Sequence, residues 1–144
     1  MRSDARGARV WFDPVGVRVQ PGATIRWLLE ANVHSATAYH PAYGYAPRIP
    51  PGASPWDSGL MTEPGEAFAV RLDVPGVYDY FCIPHELAGM AGRIVVALPG
   101  ARTSDLDVPG PPSQGLRAPS AASLVALPDI ARILRKGAVR IAND

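Results

Sequence analysis

The chain has 144 residues, 47% of them apolar, and a formal charge of +1 from fourteen Lys and Arg against thirteen Asp and Glu. That length suits one domain with its own core and is short for two. The balanced charge provides no electrostatic footprint for nucleic acid, and no apolar run approaches the roughly 20 residues of a transmembrane helix. Sixteen prolines and fourteen glycines argue against a mostly helical fold, because both residues punctuate strands with turns. The single cysteine, Cys82, excludes an internal disulfide.

Residues 1–8 are polar and are expected to be loose. The opening MRSDARGAR lacks the apolar core of a signal peptide, and is equally compatible with loss of a targeting segment. From Arg9 the pattern is strand-like: Val10 and Phe12 alternate, Val17 and Val19 alternate, and Pro21-Gly22 turns the chain into Thr24 to Leu29. Trp11 and Trp27 are expected to pack in the core. The stretch from Glu30 to Tyr45 holds His34 and His40, and Tyr39, Tyr43 and Tyr45 are expected to pack that loop. Residues 46–65 read as an ordered surface loop, with Trp56 as a lid on the core and a turn at Asp57-Ser58-Gly59. Glu66 to Asp73 alternates again, Pro75-Gly76 turns, and Val77 to Phe81 forms a strand that delivers Cys82. Arg93 to Leu98 reads as the next strand.

The expected organisation is an all-β sandwich of about seven or eight strands over residues 9–98. Residues 99–119 contain five prolines and three glycines and read as a linker or strap. Residues 120–144 read as an amphipathic segment, with a helix over Asp129 to Lys136 that ends at Gly137. Its Leu124, Leu127, Ile130 and Ile133 are expected to pack back on the sandwich.

Chemistry concentrates between the last two strands. Cys82 is followed by His85 and Met90, with Pro84 stiffening the turn and Gly89 and Gly92 around the methionine. A thiolate, an imidazole and a thioether form a soft donor set suited to copper and poorly suited to magnesium or calcium. A further nitrogen is needed, and His34, just after a strand, is the better candidate. His40 is left with three readings: an exposed or supporting loop residue, an alternative ligand, or an accessory contact.

The segment Cys82-Ile83-Pro84-His85-Glu86-Leu87-Ala88-Gly89-Met90 resembles the copper loop of the cupredoxins, specifically the plastocyanin, pseudoazurin and halocyanin branch. His34, 48 residues ahead of Cys82, matches the family's first histidine in context and distance. The likeness covers Val10 to Leu98. It implies a Greek-key β-sandwich holding one type 1 copper ion on His34, Cys82, His85 and Met90. Where the family usually has Asn after the first histidine, this chain has Ser35, which can make a similar but shorter bond toward the cysteine.

The resemblance implies an electron carrier that cycles Cu(I)/Cu(II), with His85 as the port and Pro84, Leu87 and Ala88 as the patch where redox partners dock transiently. It also implies a monomer working in the periplasm or elsewhere outside the cytoplasm. The alternative is copper binding or delivery on the same fold. Enzyme activity is not expected: Cys82 is flanked by Phe81 and Ile83 and not by a relay histidine. A Cys-His nucleophile would leave Met90 without a role.

Overall fold

The computed structural model describes residues 1–112 and 115–141, so small parts of the predicted strap (113–114) and tail (142–144) lie outside the described residues. Its strands are β1 (Arg2–Ser3), β2 (Val10–Trp11), β3 (Gly16–Val19), β4 (Ala23–Leu28), β5 (Thr37–Ala38), β6 (Ala67–Leu72), β7 (Gly76–Phe81), β8 (Ala91–Val96) and β9 (Ala138–Val139). Two short helices follow the prolines of the strap: α1 (Ala121–Ala126) and α2 (Ile130–Lys136).

Strands β5, β7, β8, β3 and β9 form a five-stranded sheet in that order, while β4 and β6 form a separate antiparallel ribbon. Within the larger sheet β7 and β8 are antiparallel, and β3 runs parallel to β8. The ribbon's Trp27, Leu72 and Phe68 meet Tyr78, Tyr80, Ile94 and Val96 of the sheet, so the main core lies between the two layers. The alternating pattern that predicted these strands thus faces inward where expected. Tyr80 lies opposite Gly92 across the β7–β8 pair, and any side chain at Gly92 would collide with the tyrosine ring.

β7 is buried at every residue and β8 at nearly every one, since both faces of the sheet are covered. The outer face carries Val15, Val77, Val95, Ala97 and Val139, packed on Ile133 of α2. Ile133 is fully buried, and β9 adds an antiparallel strand to β3. Asp129 Oδ1 accepts the Arg132 amide at 2.9 Å to cap α2, and Gly137 ends it at φ 74°. This is the helix expected over Asp129 to Lys136. α1 was not legible beforehand, because AASLVA lacks an apolar stripe and only its Ser123 is buried.

Three expectations fail, the simplest being Leu124, which is 44% exposed and does not pack back on the sandwich. The first residues are not loose: β1 pairs with β2, Met1 is buried, and its amino group donates to the Leu28 carbonyl at 2.8 Å. Arg2 supplies the reason, bridging Asp13 at 3.2 Å and Glu30 at 2.8 Å, so the polar run has partners. Trp11 is only partly buried and lies under the Arg9 guanidinium, whereas Trp27 and Trp56 are core residues. Val10 and Phe12 on either side face the core, so the alternation of the strand turns Trp11 to the other face.

A buried ion triad ties the outer face together. Asp79 has no exposure and accepts from Arg93 Nε at 2.7 Å, Arg93 Nη2 at 3.0 Å and Arg48 Nε at 2.9 Å. Arg93 Nη1 also donates to the Pro128 carbonyl at 3.0 Å, linking β8 to the tail. Removing the carboxylate leaves two largely buried cations without their partner. Asp79→Ala should therefore lower unfolding free energy by about 3–5 kcal/mol, measured by urea denaturation.

Candidate metal centre

Two segments converge at one end of the sandwich. The first, around His34, is held by a bridge between His34 and Met61, in which each backbone amide donates to the other's carbonyl, at 3.2 and 2.8 Å. The second is the turn between β7 and β8, a 3-10 segment over Ile83–Ala88 that begins at Cys82 and ends at Gly89 with φ 85°. Pro84 fits its first turn, where a missing N–H costs nothing. The Cys82 amide donates to the Met90 carbonyl at 3.0 Å and the Met90 amide to the His85 carbonyl at 3.1 Å, which closes the loop on itself.

His34, Cys82 and His85 meet there, and Met90 lies beside them with 1% exposure. The two Nδ1 atoms are 3.2 Å apart and each is 3.5 Å from Cys82 Sγ. The point equidistant from these three atoms lies about 2.0 Å from each, the length of a metal–imidazole bond. Two nitrogens, one sulfur and an adjacent thioether fit copper better than zinc, which prefers four strong donors. His34 and Cys82 are fully buried, and His85 is half-buried.

Burial favours the uncharged form of all three groups in the metal-free protein. Burial, with His85 second, depresses His34 to about 4, and burial also lowers His85. Burial pushes the Cys82 thiol up to about 11, against the Ser35 amide and other hydrogen bonds that favour the thiolate. A positive ion reverses this last preference, so metal entry must expel the thiol proton. His34 Nε2, on the far side of the ring, is buried without a hydrogen bond of good geometry, although the Arg2 backbone lies near enough to favour its N–H. That leaves Nδ1 to offer its lone pair.

Ser35 does what the sequence suggested. Its amide donates to Cys82 Sγ at 3.4 Å, and its Oγ accepts the Ile83 amide at 2.8 Å. The chain of contacts continues through Thr37 Oγ1 at 2.9 Å to Asp57 Oδ1 at 3.0 Å. His40 is not part of the cluster. Its Nδ1 accepts the Ala42 amide at 3.1 Å and caps the turn Pro41–Tyr43. Tyr39 and Tyr45 pack on Phe81, with ring centroids 4.5 and 4.7 Å away, as loop-packing residues should. The buried Glu86, within the loop, is a residue that sequence reasoning passed over.

A two-layer β-sandwich with two histidines, a cysteine and a methionine gathered at one end has the fold and donor chemistry of a type 1 copper protein. The family of copper-binding proteins, plastocyanin/azurin family, matches residues 1–97. A plastocyanin of Scenedesmus fuscus is 33% identical over 88 residues, covering 59% of this chain and 85% of that protein. A chloroplastic plastocyanin of Hordeum vulgare is 33% identical over 96 residues, covering 64% of this chain and 58% of that one, so the chain spans less than two thirds of the longer relative. Among solved structures, a Sinorhizobium pseudoazurin superposes with a TM-score of 0.52 at 31% identity, over 76% of this chain and 80% of its own. The chain belongs to the plastocyanin/azurin family of copper-binding proteins, and its fold is the cupredoxin fold.

Two measurements follow from the ionisation states. At pH 8 both imidazoles are neutral and the thiol is protonated, so Cu(II) uptake should release about one proton per ion, read by titration in weak buffer, and none in Cys82→Ser. In the metal-free protein the folded state disfavours a proton on His34 that the unfolded chain accepts, between pH 6.5 and about 4. The resulting stabilisation is complete above pH 6.5 and lost as pH falls toward 4, and His34→Gln should flatten this part of the urea stability profile.

Proposed function

We propose that this chain is a one-electron carrier that shuttles between redox partners, with copper held by His34, Cys82, His85 and Met90. The observation that carries the reading is the triangle of two Nδ1 atoms and Sγ, at 3.2 to 3.5 Å, at the end of the sandwich. Bound copper supplies the redox couple. The protein's part is to keep the donors where they are: the Ser35 amide and Oγ hold the cysteine end, and the closed Cys82–Met90 loop holds the rest. Donors fixed in this way change little on electron gain, which keeps the reorganisation cost low.

His85 is the half-buried member and opens toward a surface of exposed Ile83, Pro84, Leu87 and Ala88. Leu87 is 85% exposed, which leaves it free to enter a partner's surface. A small apolar patch suits brief docking over a limited area. Release of copper as cargo is the less favoured use, because His34, Cys82 and Met90 are each no more than 1% exposed. The reading includes a monomer that acts outside the cytoplasm; no helix among the described residues is long and apolar enough to cross a membrane.

The test is the spectrum after one equivalent of Cu(II). Wild type should show an intense visible thiolate-to-copper band and a type 1 electron paramagnetic resonance signal, both absent in Cys82→Ser. A weak type 2 spectrum in both proteins would remove the basis for electron transfer.

A further inference from the structure

The family match ends at residue 97, yet the chain continues and returns to the copper loop. The point of return is Glu86, the residue after His85. Its side chain is 5% exposed, an unusual place for a carboxylate, and every contact on it has a donor. Tyr39 Oη donates to Glu86 Oε1 at 2.9 Å, and the Ser120 amide donates to the same oxygen at 2.7 Å. Its carbonyl accepts Ser120 Oγ at 3.0 Å and Ser123 Oγ at 2.8 Å, besides the Gly89 amide of the loop itself at 3.0 Å.

α1 is seated tightly against the same turn. A Cβ built on Gly89 would lie 3.1 Å from the Ala122 carbonyl oxygen, and Gly89 already has a φ of 85°, so the position favours glycine twice over. The helix is in turn anchored beyond itself, by the Arg93 contact to Pro128 and by buried Ile133. The loop therefore has two supports. Ser35 grips it next to Cys82, and the C-terminal extension grips it next to His85.

We propose that the segment after residue 97 is a brace for the copper loop, in which Ser120 and Ser123 are positioning residues that act through Glu86 on His85. The proposal rests on the copper reading given above. Groups that orient a metal ligand without touching the metal change affinity and spectrum when removed, whereas a segment that only adds stability does not. The three hydrogen bonds from the extension end on Glu86, two on its carbonyl and one on its carboxylate, and Glu86 is the residue next to His85. Loosening them frees the half of the loop that Ser35 does not reach.

The experiment compares copper-loaded, full-length wild type with Ser120→Ala/Ser123→Ala. Copper affinity, measured by competition with a chelator, should fall roughly 10–100-fold, and the copper hyperfine pattern should change. In the metal-free variant the Gly89 and Met90 amides should exchange faster with solvent. Glu86→Gln keeps a carbonyl oxygen for Tyr39 and the Ser120 amide and should retain the wild-type spectrum, while Glu86→Ala removes that acceptor and should also alter the copper hyperfine pattern. Leu72→Ala weakens the core in the β4–β6 ribbon, outside the extension, and should lower stability with the spectrum unchanged. Wild-type affinity, spectrum and amide exchange in the double variant would overturn the brace, as would a Leu72→Ala spectrum altered to the same degree. A thiolate band in wild type with unaltered variants would sink the brace alone. Absence of that band in wild type would sink the copper reading and the brace with it.

Discussion

Two hydrogen bonds through Ser35 hold the centre together. Its amide points at Cys82 Sγ and its hydroxyl receives the Ile83 amide, so one small residue beside His34 fastens the loop that carries the cysteine. Segments 48 residues apart in sequence are brought to a common point by that pair of contacts. A serine reaches less far than an asparagine, and here the shorter side chain is accommodated by direct contact with the backbone after the cysteine. Behind it, Thr37 and Asp57 complete a run of hydrogen bonds that gives each buried hydroxyl a partner. These contacts fix the donors relative to one another.

The sheet beneath the site explains why this end of the molecule is firm. β7 and β8, which flank the copper loop, are covered on one face by the aromatic core and on the other by α2 and the Asp79 triad. A hairpin buried on both sides has little freedom to shift its turn. The extension that supplies α2 also supplies the contacts to Glu86, so outer-face burial and support of the loop come from one stretch of chain. Stability and ligand geometry are linked through the same residues.

Much of the centre was legible in the sequence because it is local. Cys82, His85 and Met90 lie within one turn, and Pro84 and Gly89 carry the backbone requirements of that turn in their chemistry. His34 needed a choice against His40. The structure separates them through a feature that pattern reading cannot see: His40 uses its Nδ1 on the Ala42 amide, whereas His34 keeps its Nδ1 facing the cysteine. What stayed hidden depends on distant partners. Asp79 meets Arg48 from 31 residues away and Arg93 from 14, and neither spacing has a periodic signature. α1 is stabilised by its Ser120 cap and by Glu86, not by an apolar stripe, and the ordered first strand depends on Arg2 finding Asp13 and Glu30. Trp11 lies between Val10 and Phe12, which face the core, so the two-residue period of a strand puts it on the other face and near the surface.

The central claim is that the protein holds two imidazole nitrogens and one thiolate sulfur in a fixed triangle around copper. X-ray absorption at the copper edge, recorded on the same sample before and after reduction, tests it most directly. The expected result is a shell of two nitrogens at about 2.0 Å and one sulfur in both oxidation states, with bond lengths almost unchanged by reduction. A shell of nitrogen and oxygen without sulfur, or loss of an imidazole on reduction, would contradict it.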